Sequence, residues 1–260
     1  MLIFILLVAT GLIAGVLAGL LGIGGGLVIV PALTLILRAS GLDVETAVPM
    51  AIATSLGTML LTSASAIWFH DRRRGIDWPA VARLGPTLAL GALLGGLLAA
   101  HLPGLWLARI FATLAALIGI RMLLGIAARQ QHRPAHPRGW WIFGPLIGSI
   151  SALMGIGGGS FNVPYLAHNG YPMVRAVAIA SACGWPIALA GLLGFVIAGW
   201  NQTLFEHSLG FVYLPGLILI GLTGAIGAPV GVGLAHRLPA ATLRRIFGAL
   251  LLLIALRMLW

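Results

Sequence analysis

Two glycine runs, Gly22-Ile23-Gly24-Gly25-Gly26 and Gly155-Ile156-Gly157-Gly158-Gly159, interrupt long apolar stretches. Lacking a Cβ, Gly24, Gly25, Gly26, Gly157, Gly158 and Gly159 can take positive φ and let a ligand approach the backbone. A helix that restarts after such a break presents unpaired N–H groups and a partial positive charge. Two restarts facing each other would hold an anion without any buried arginine. The alternative is that the glycines serve close helix packing in lipid. A dinucleotide fingerprint is excluded, because no strand precedes either run.

Polar residues inside apolar runs are the next candidates. Thr54, Thr58, Thr62 and Ser65 fall on one helical face, with Ser55 beside it. In the second half Ser181 takes the place of Thr54 and Trp185 that of Thr58, while Ser160 and Asn162 stand where the first half has Leu27 and Ile29. Hydroxyls and amides can donate to an anion's oxygens without the cost of burying a charge. They can equally satisfy their own helices. Trp185 either gates a path or packs. Arg121 and Arg257 recur at matching positions, where they would attract anions to two mouths or snorkel to headgroups.

The absences narrow the chemistry further. Asp43, Glu45, Asp71, Asp77 and Glu206 are the only acids and all fall between apolar runs, so no intramembrane carboxylate offers itself for proton coupling. The histidines show no metal-ligand spacing, so neither a metal nor a cofactor is expected. An intramembrane serine hydrolase would need Ser160 or Ser181 beside a histidine, and His168, His207 and His236 lie at run ends. The chain therefore reads as a non-enzyme. A gated anion channel is the nearer rival to a carrier.

The elements that must position these residues follow from composition. Of 260 residues, 60% are hydrophobic and 8% charged, with a mean hydropathy of +1.08. A soluble domain carries about 25% charged residues, so a soluble enzyme and a nucleic-acid-binding domain are excluded. The net charge of +10 is all arginine and points to cytoplasmic loops and the lipid bilayer. Apolar runs cover 2–37, 47–69, 80–100, 105–127, 140–167, 174–199, 209–235 and 241–260, too long and uniform for barrel strands. Met1 to Ala18 lacks the basic start of a signal peptide and is kept as structure. The lone Cys183 cannot form an internal disulfide.

The chain also repeats itself. Beyond the glycine runs, Val30-Pro31 returns as Val163-Pro164 and Ala51-Ile52-Ala53-Thr54 as Ala178-Ile179-Ala180-Ser181. Arg109-Ile110-Phe111 and Arg121-Met122-Leu123 return as Arg245-Ile246-Phe247 and Arg257-Met258-Leu259. The expected architecture is an all-α polytopic membrane protein: repeat 1 over 1–128, a basic cytoplasmic linker over 129–139, and repeat 2 over 140–260. Each repeat holds one broken, glycine-interrupted segment and three transmembrane helices. Arginines cluster after the second run in the first half (Arg72, Arg73, Arg74) but between the last two runs in the second (Arg237, Arg244, Arg245). That flip is what inverted repeats produce. A parallel arrangement, with each first run a single kinked helix, is the alternative.

As a set, the duplicated Gly-Ile-Gly-Gly-Gly with Val-Pro, the Ala-Ile-Ala-Thr-Ser run and the Arg-Ile-Phe…Arg-Met-Leu endings resemble the TauE/SafE sulfite exporter family, over essentially the whole chain. The resemblance implies a permease of the bacterial inner membrane for sulfite, sulfonates or related organosulfur anions; the duplicated breaks add the expectation of alternating access to a site between them. It does not choose among those anions, and a homodimer is compatible with it.

Overall fold

The structure, a computed structural model, describes residues 1–21, 25–72, 74–125, 137–200, 205–235 and 240–259. Its helices are α1 (Leu2–Leu21), α2 (Gly26–Ala39), α3 (Val44–Arg72), α4 (Trp78–His101), α5 (Gly104–Leu123), α6 (Pro137–Met154), α7 (Gly159–His168), α8 (Met173–Gly199), α9 (Leu214–Ala235) and α10 (Ala240–Leu259). Six of the described helices, α1, α3, α4, α5, α8 and α9, are long and apolar enough to cross a membrane.

Each overlong first run is two helices rather than one. At 1.5 Å per residue, α2 is about 21 Å long and α7 about 15 Å, short of a hydrocarbon core of about 30 Å. Both turn back on the helix before them. Gly25 lies beside Ala14 of α1, and Gly139, at the start of α6, lies beside the Tyr165 hydroxyl of α7. The Phe143 and Tyr165 rings, 5.4 Å apart, hold the second hairpin closed.

Helix directions follow from which residues meet. Leu56 of α3 lies by Gly191 of α8 and Ser63 by Gly184, so the two run antiparallel. Gly11 and Gly15 of α1 rest on Ile220 and Gly224 of α9, while Gly91 and Gly95 of α4 rest on Pro145 and Ser149 of α6, so both of these pairs run parallel. The α5 and α10 helices also pack together. Glycine at these crossings lets backbones approach where a methyl would collide. Direction thus alternates strictly along the chain from α1 to α10.

The α3 helix is the axis of the bundle, buried without interruption from Ala47 to Met59. Leu90, Leu94 and Leu98 on α4 and Ile218, Leu222 and Ile226 on α9 are exposed at four-residue spacing, which gives the outside an apolar surface suited to lipid. Cys183 is fully buried within α8. Most of the acids have structural tasks at helix starts, where a negative charge is favoured. Asp43 accepts the Thr46 N–H at 3.0 Å, and that bonding holds its carboxyl below the usual range. Asp77 accepts the Ala80 N–H at 3.2 Å, and Glu45 accepts the Gly104 N–H at the start of α5. Asp71 accepts from the Trp78 indole at 2.8 Å.

One stretch departs from the all-helical expectation. Residues 209–213 do not begin a helix; β1 (Ser208–Leu209) and β2 (Val212–Tyr213) form an antiparallel hairpin. Gly210 turns it with φ +56°. Phe211, Val212 and Tyr213 are buried, and Phe211 meets Phe195 of α8 edge-on at 6.0 Å. Irregular backbone at this depth is tolerated because protein surrounds it.

Candidate functional site

The two glycine breaks touch. Gly26, opening α2, lies directly against the Gly155 carbonyl at the end of α6, and a methyl there would overlap it. The Ser55 hydroxyl of α3 donates to that same carbonyl at 2.8 Å. Both hairpins therefore converge on the middle of the buried central helix.

The breaks differ in backbone and in chemistry. Gly25 has φ −70° and ψ −12°, an ordinary helical conformation, so the positive φ expected there is absent. Its neighbours are Ala14 and Ile29. Gly24 lies outside the described residues. Gly158 has φ +72° and ψ −6°, the left-handed conformation that favours glycine, and starts α7. Its surroundings are polar as well as apolar: a Cβ there would fall 2.9 Å from Asn162 Nδ2, 3.2 Å from Ser151 Oγ and 2.7 Å from Ile187 Cδ1.

Asn162 is fully buried, and neither its Nδ2 nor its Oδ1 has a hydrogen-bond partner. The buried hydroxyls of Ser151 and Ser160 are likewise unpartnered. A buried polar group left unsatisfied costs about 1–3 kcal/mol, and Asn162 and Ser151 leave two such side chains beside the same Gly158 position. The Phe161 and Asn162 N–H groups bond back to the Gly158 carbonyl, at 3.0 and 2.6 Å. Those of Gly159 and Ser160 head the helix without intrahelical acceptors. Gly157 completes the wall against the Met59 methyl, with Gly184 and the Ser63 hydroxyl behind it.

The other candidates divide. Ser55 joins the breaks. Thr54 is fully buried but turns to the hairpin, its Oγ1 accepting the Tyr213 N–H at 2.9 Å. The Thr58 hydroxyl donates to the Ser55 carbonyl at 2.7 Å, satisfying its own helix. Ser181 is half-buried on α8 and Trp185 is 40% exposed; the atoms nearest a methyl at Gly158 come instead from Ile187, Asn162 and Ser151. Arg121 and Arg257, each in the last turn of its helix, are exposed. Among the described residues no three His, Cys, Asp or Glu side chains cluster as metal ligands would.

Ser151 is the residue that sequence reasoning missed. Its match in the first half is Ala18, so comparing the repeats for shared polar positions hides it. The usable signal is the opposite one. Positions 151, 160 and 162 are polar around one break where 18, 27 and 29 are apolar around the other.

A multi-pass helical membrane protein in which two broken helices meet beside buried, unpartnered polar side chains is built as transporters are built. The chain belongs to the sulfite exporter TauE/SafE family, whose profile matches residues 7–258. It is 35% identical over 258 residues to a "Probable membrane transporter protein" of Haemophilus influenzae, covering 98% of each chain. A protein of the same description from Methanocaldococcus jannaschii is 28% identical, covering 98% of this chain and 94% of its own. YunE of Bacillus subtilis, also named a probable membrane transporter protein, is 24% identical over 99% of this chain and 97% of its own. No solved structure matches the chain.

Proposed function

We propose that this transporter is a carrier of small sulfur oxyanions, sulfite or organosulfonates, in a bacterial inner membrane. The anion is held at the second break by the Asn162 amide, the Ser151 and Ser160 hydroxyls and the leading N–H groups of α7. The observation that supports this best is the unpartnered Asn162 side chain beside left-handed Gly158. Those groups are donors without a fixed positive charge, which suits an anion that must leave again.

Alternating access between inverted halves accounts for the helix directions. Each half contributes five helices that alternate in direction, so the second half enters the bilayer upside down. Equivalent helices α3 and α8 then run antiparallel, as they do. The same alternation puts Arg72, Arg74, Arg121 and Arg175 at one end of the bundle and Arg38, Arg109 and Arg257 at the other. The first end, shared by the 129–139 linker, is the cytoplasmic one by the positive-inside rule.

An anion leaving a negative-inside cell gains about 2.3 kcal/mol per charge per 100 mV, so export needs no coupling residue. The test is efflux of radiolabelled sulfite from proteoliposomes. Flux should saturate with concentration and follow an imposed potential, its equilibrium shifting about fiftyfold per charge per 100 mV. Asn162→Ala should abolish it. Unsaturable flux at channel rates, or full activity without Asn162, would sink the reading.

A further inference from the structure

A pocket lies apart from the breaks, between α2, α3, α5 and α10. Its inner part is a cavity of about 140 Å³ whose lining includes Thr34, Arg38, Leu105, Ile254, Arg257 and Met258. It shares Leu35, Arg38, Val44 and Arg257 with a wider outer mouth of about 690 Å³. Thr34 is only 6% exposed, and its hydroxyl is buried without a partner. Arg38 and Arg257 come from the last turns of two different helices. Among the described residues neither guanidinium has an acidic partner, and Asp43 at the outer mouth already caps Thr46.

We propose that this pocket binds one oxyanion group, a sulfonate, sulfite or phosphate, clamped by Arg38 and Arg257 with the Thr34 hydroxyl as its innermost donor. Two guanidiniums lining one cavity give it a positive potential with no acid in that lining, and arginine's planar fork matches such oxygens. The cavity has the volume of about four or five liquid waters at ~30 Å³ each, room for one such group with an apolar wall for whatever carbon it carries. Repeat geometry alone does not account for the pocket. In the register of the glycine runs, Thr34 and Arg38 correspond to Ala167 and Tyr171, so only Arg257 has an equivalent, Arg121, in the other half. The clamp belongs to one end of the molecule, the end opposite the basic linker.

The ligand could come from solution or from a lipid headgroup, and two arms separate these sources. Protein in phosphatidylcholine nanodiscs is titrated with sulfite, with Asn162→Ala as background so that binding at the break does not contribute. In parallel, native mass spectrometry counts phosphatidylglycerol retained from doped nanodiscs. Arg38→Gln with Arg257→Gln should weaken one of the two at least tenfold, and Thr34→Val should weaken the same one severalfold. Arg109→Gln, outside the cavity, should change neither. Loss in the sulfite arm assigns a free oxyanion, and loss in the lipid arm assigns a headgroup phosphate. Retention of both within twofold overturns the proposal. Because the background already lacks Asn162, that result leaves the site at the break untouched, and failure of that site leaves this measurement intact.

Discussion

The Tyr213 N–H donates to the Thr54 hydroxyl at 2.9 Å, a contact between residues 159 positions apart that ties the hairpin to the centre of α3. Both groups are buried, so no water replaces the bond. Thr54→Val should orphan the amide at a cost of about 1–3 kcal/mol. Hydrogen exchange at Tyr213 should accelerate accordingly, and Thr54→Ser should restore protection. Unchanged exchange in the valine variant would mean that the hairpin is held by Phe211 packing alone.

Three of the glycines in the breaks, Gly158, Gly26 and Gly25, should not respond alike. Gly158→Ala forces a Cβ into the left-handed region at about 1–2 kcal/mol and into Asn162 and Ile187. It should eliminate sulfite flux while inserted protein is still recovered. Gly26→Ala should reduce the folded yield, since its methyl meets the Gly155 carbonyl. Gly25→Ala keeps an allowed φ and meets only the Ile29 side chain at 3.1 Å and Ala14 at 3.4 Å or beyond. It should transport near the wild-type rate, and a dead Gly25→Ala would show that the first break has a role its neighbours do not explain.

Asn162 gives stability and function opposite signs. Replacing an unpartnered buried amide by a side chain of similar size without polar atoms removes a desolvation cost of about 1–3 kcal/mol. Asn162→Leu should therefore melt higher than the wild type in detergent and carry no sulfite. A lower melting temperature would mean that the amide is satisfied in the folded protein and serves structure.

Membrane orientation is open to a direct measurement. On the proposed topology, with five alternating helices per half and a cytoplasmic linker, the chain end at Trp260 belongs outside. A fluorescent protein that folds only in the cytoplasm should stay dark when fused there and should light up when inserted within 129–139. Bright fluorescence after Trp260, with insertion verified, would reverse the arginine argument.

Much of the fold was legible because lipid leaves the backbone few choices. Run lengths place the helices to within a few residues, and the excess length of 2–37 fits a broken hairpin as well as a single kinked helix, a choice made by the contacts of Gly25 with Ala14. The strand pair at 208–213 was not legible. Leu209, Phe211, Val212 and Tyr213 read as the start of an apolar helix, and only tertiary burial against Phe195 and Thr54 makes them a hairpin. Asn162 stood out as an amide in an apolar run. The contrast between Gly25 and Gly158 had no sequence signal, since identical residues take different φ according to what packs around them.

Cys183 carries a practical consequence. It is the chain's single thiol, and burial within α8 leaves it no route to a water-borne reagent. The unmodified protein is thus already a silent background for site-directed labelling. A cysteine placed at Ser151 or Thr34 would report, by its own rate of alkylation from either face, when the second break or the arginine-lined cavity becomes accessible and from which side.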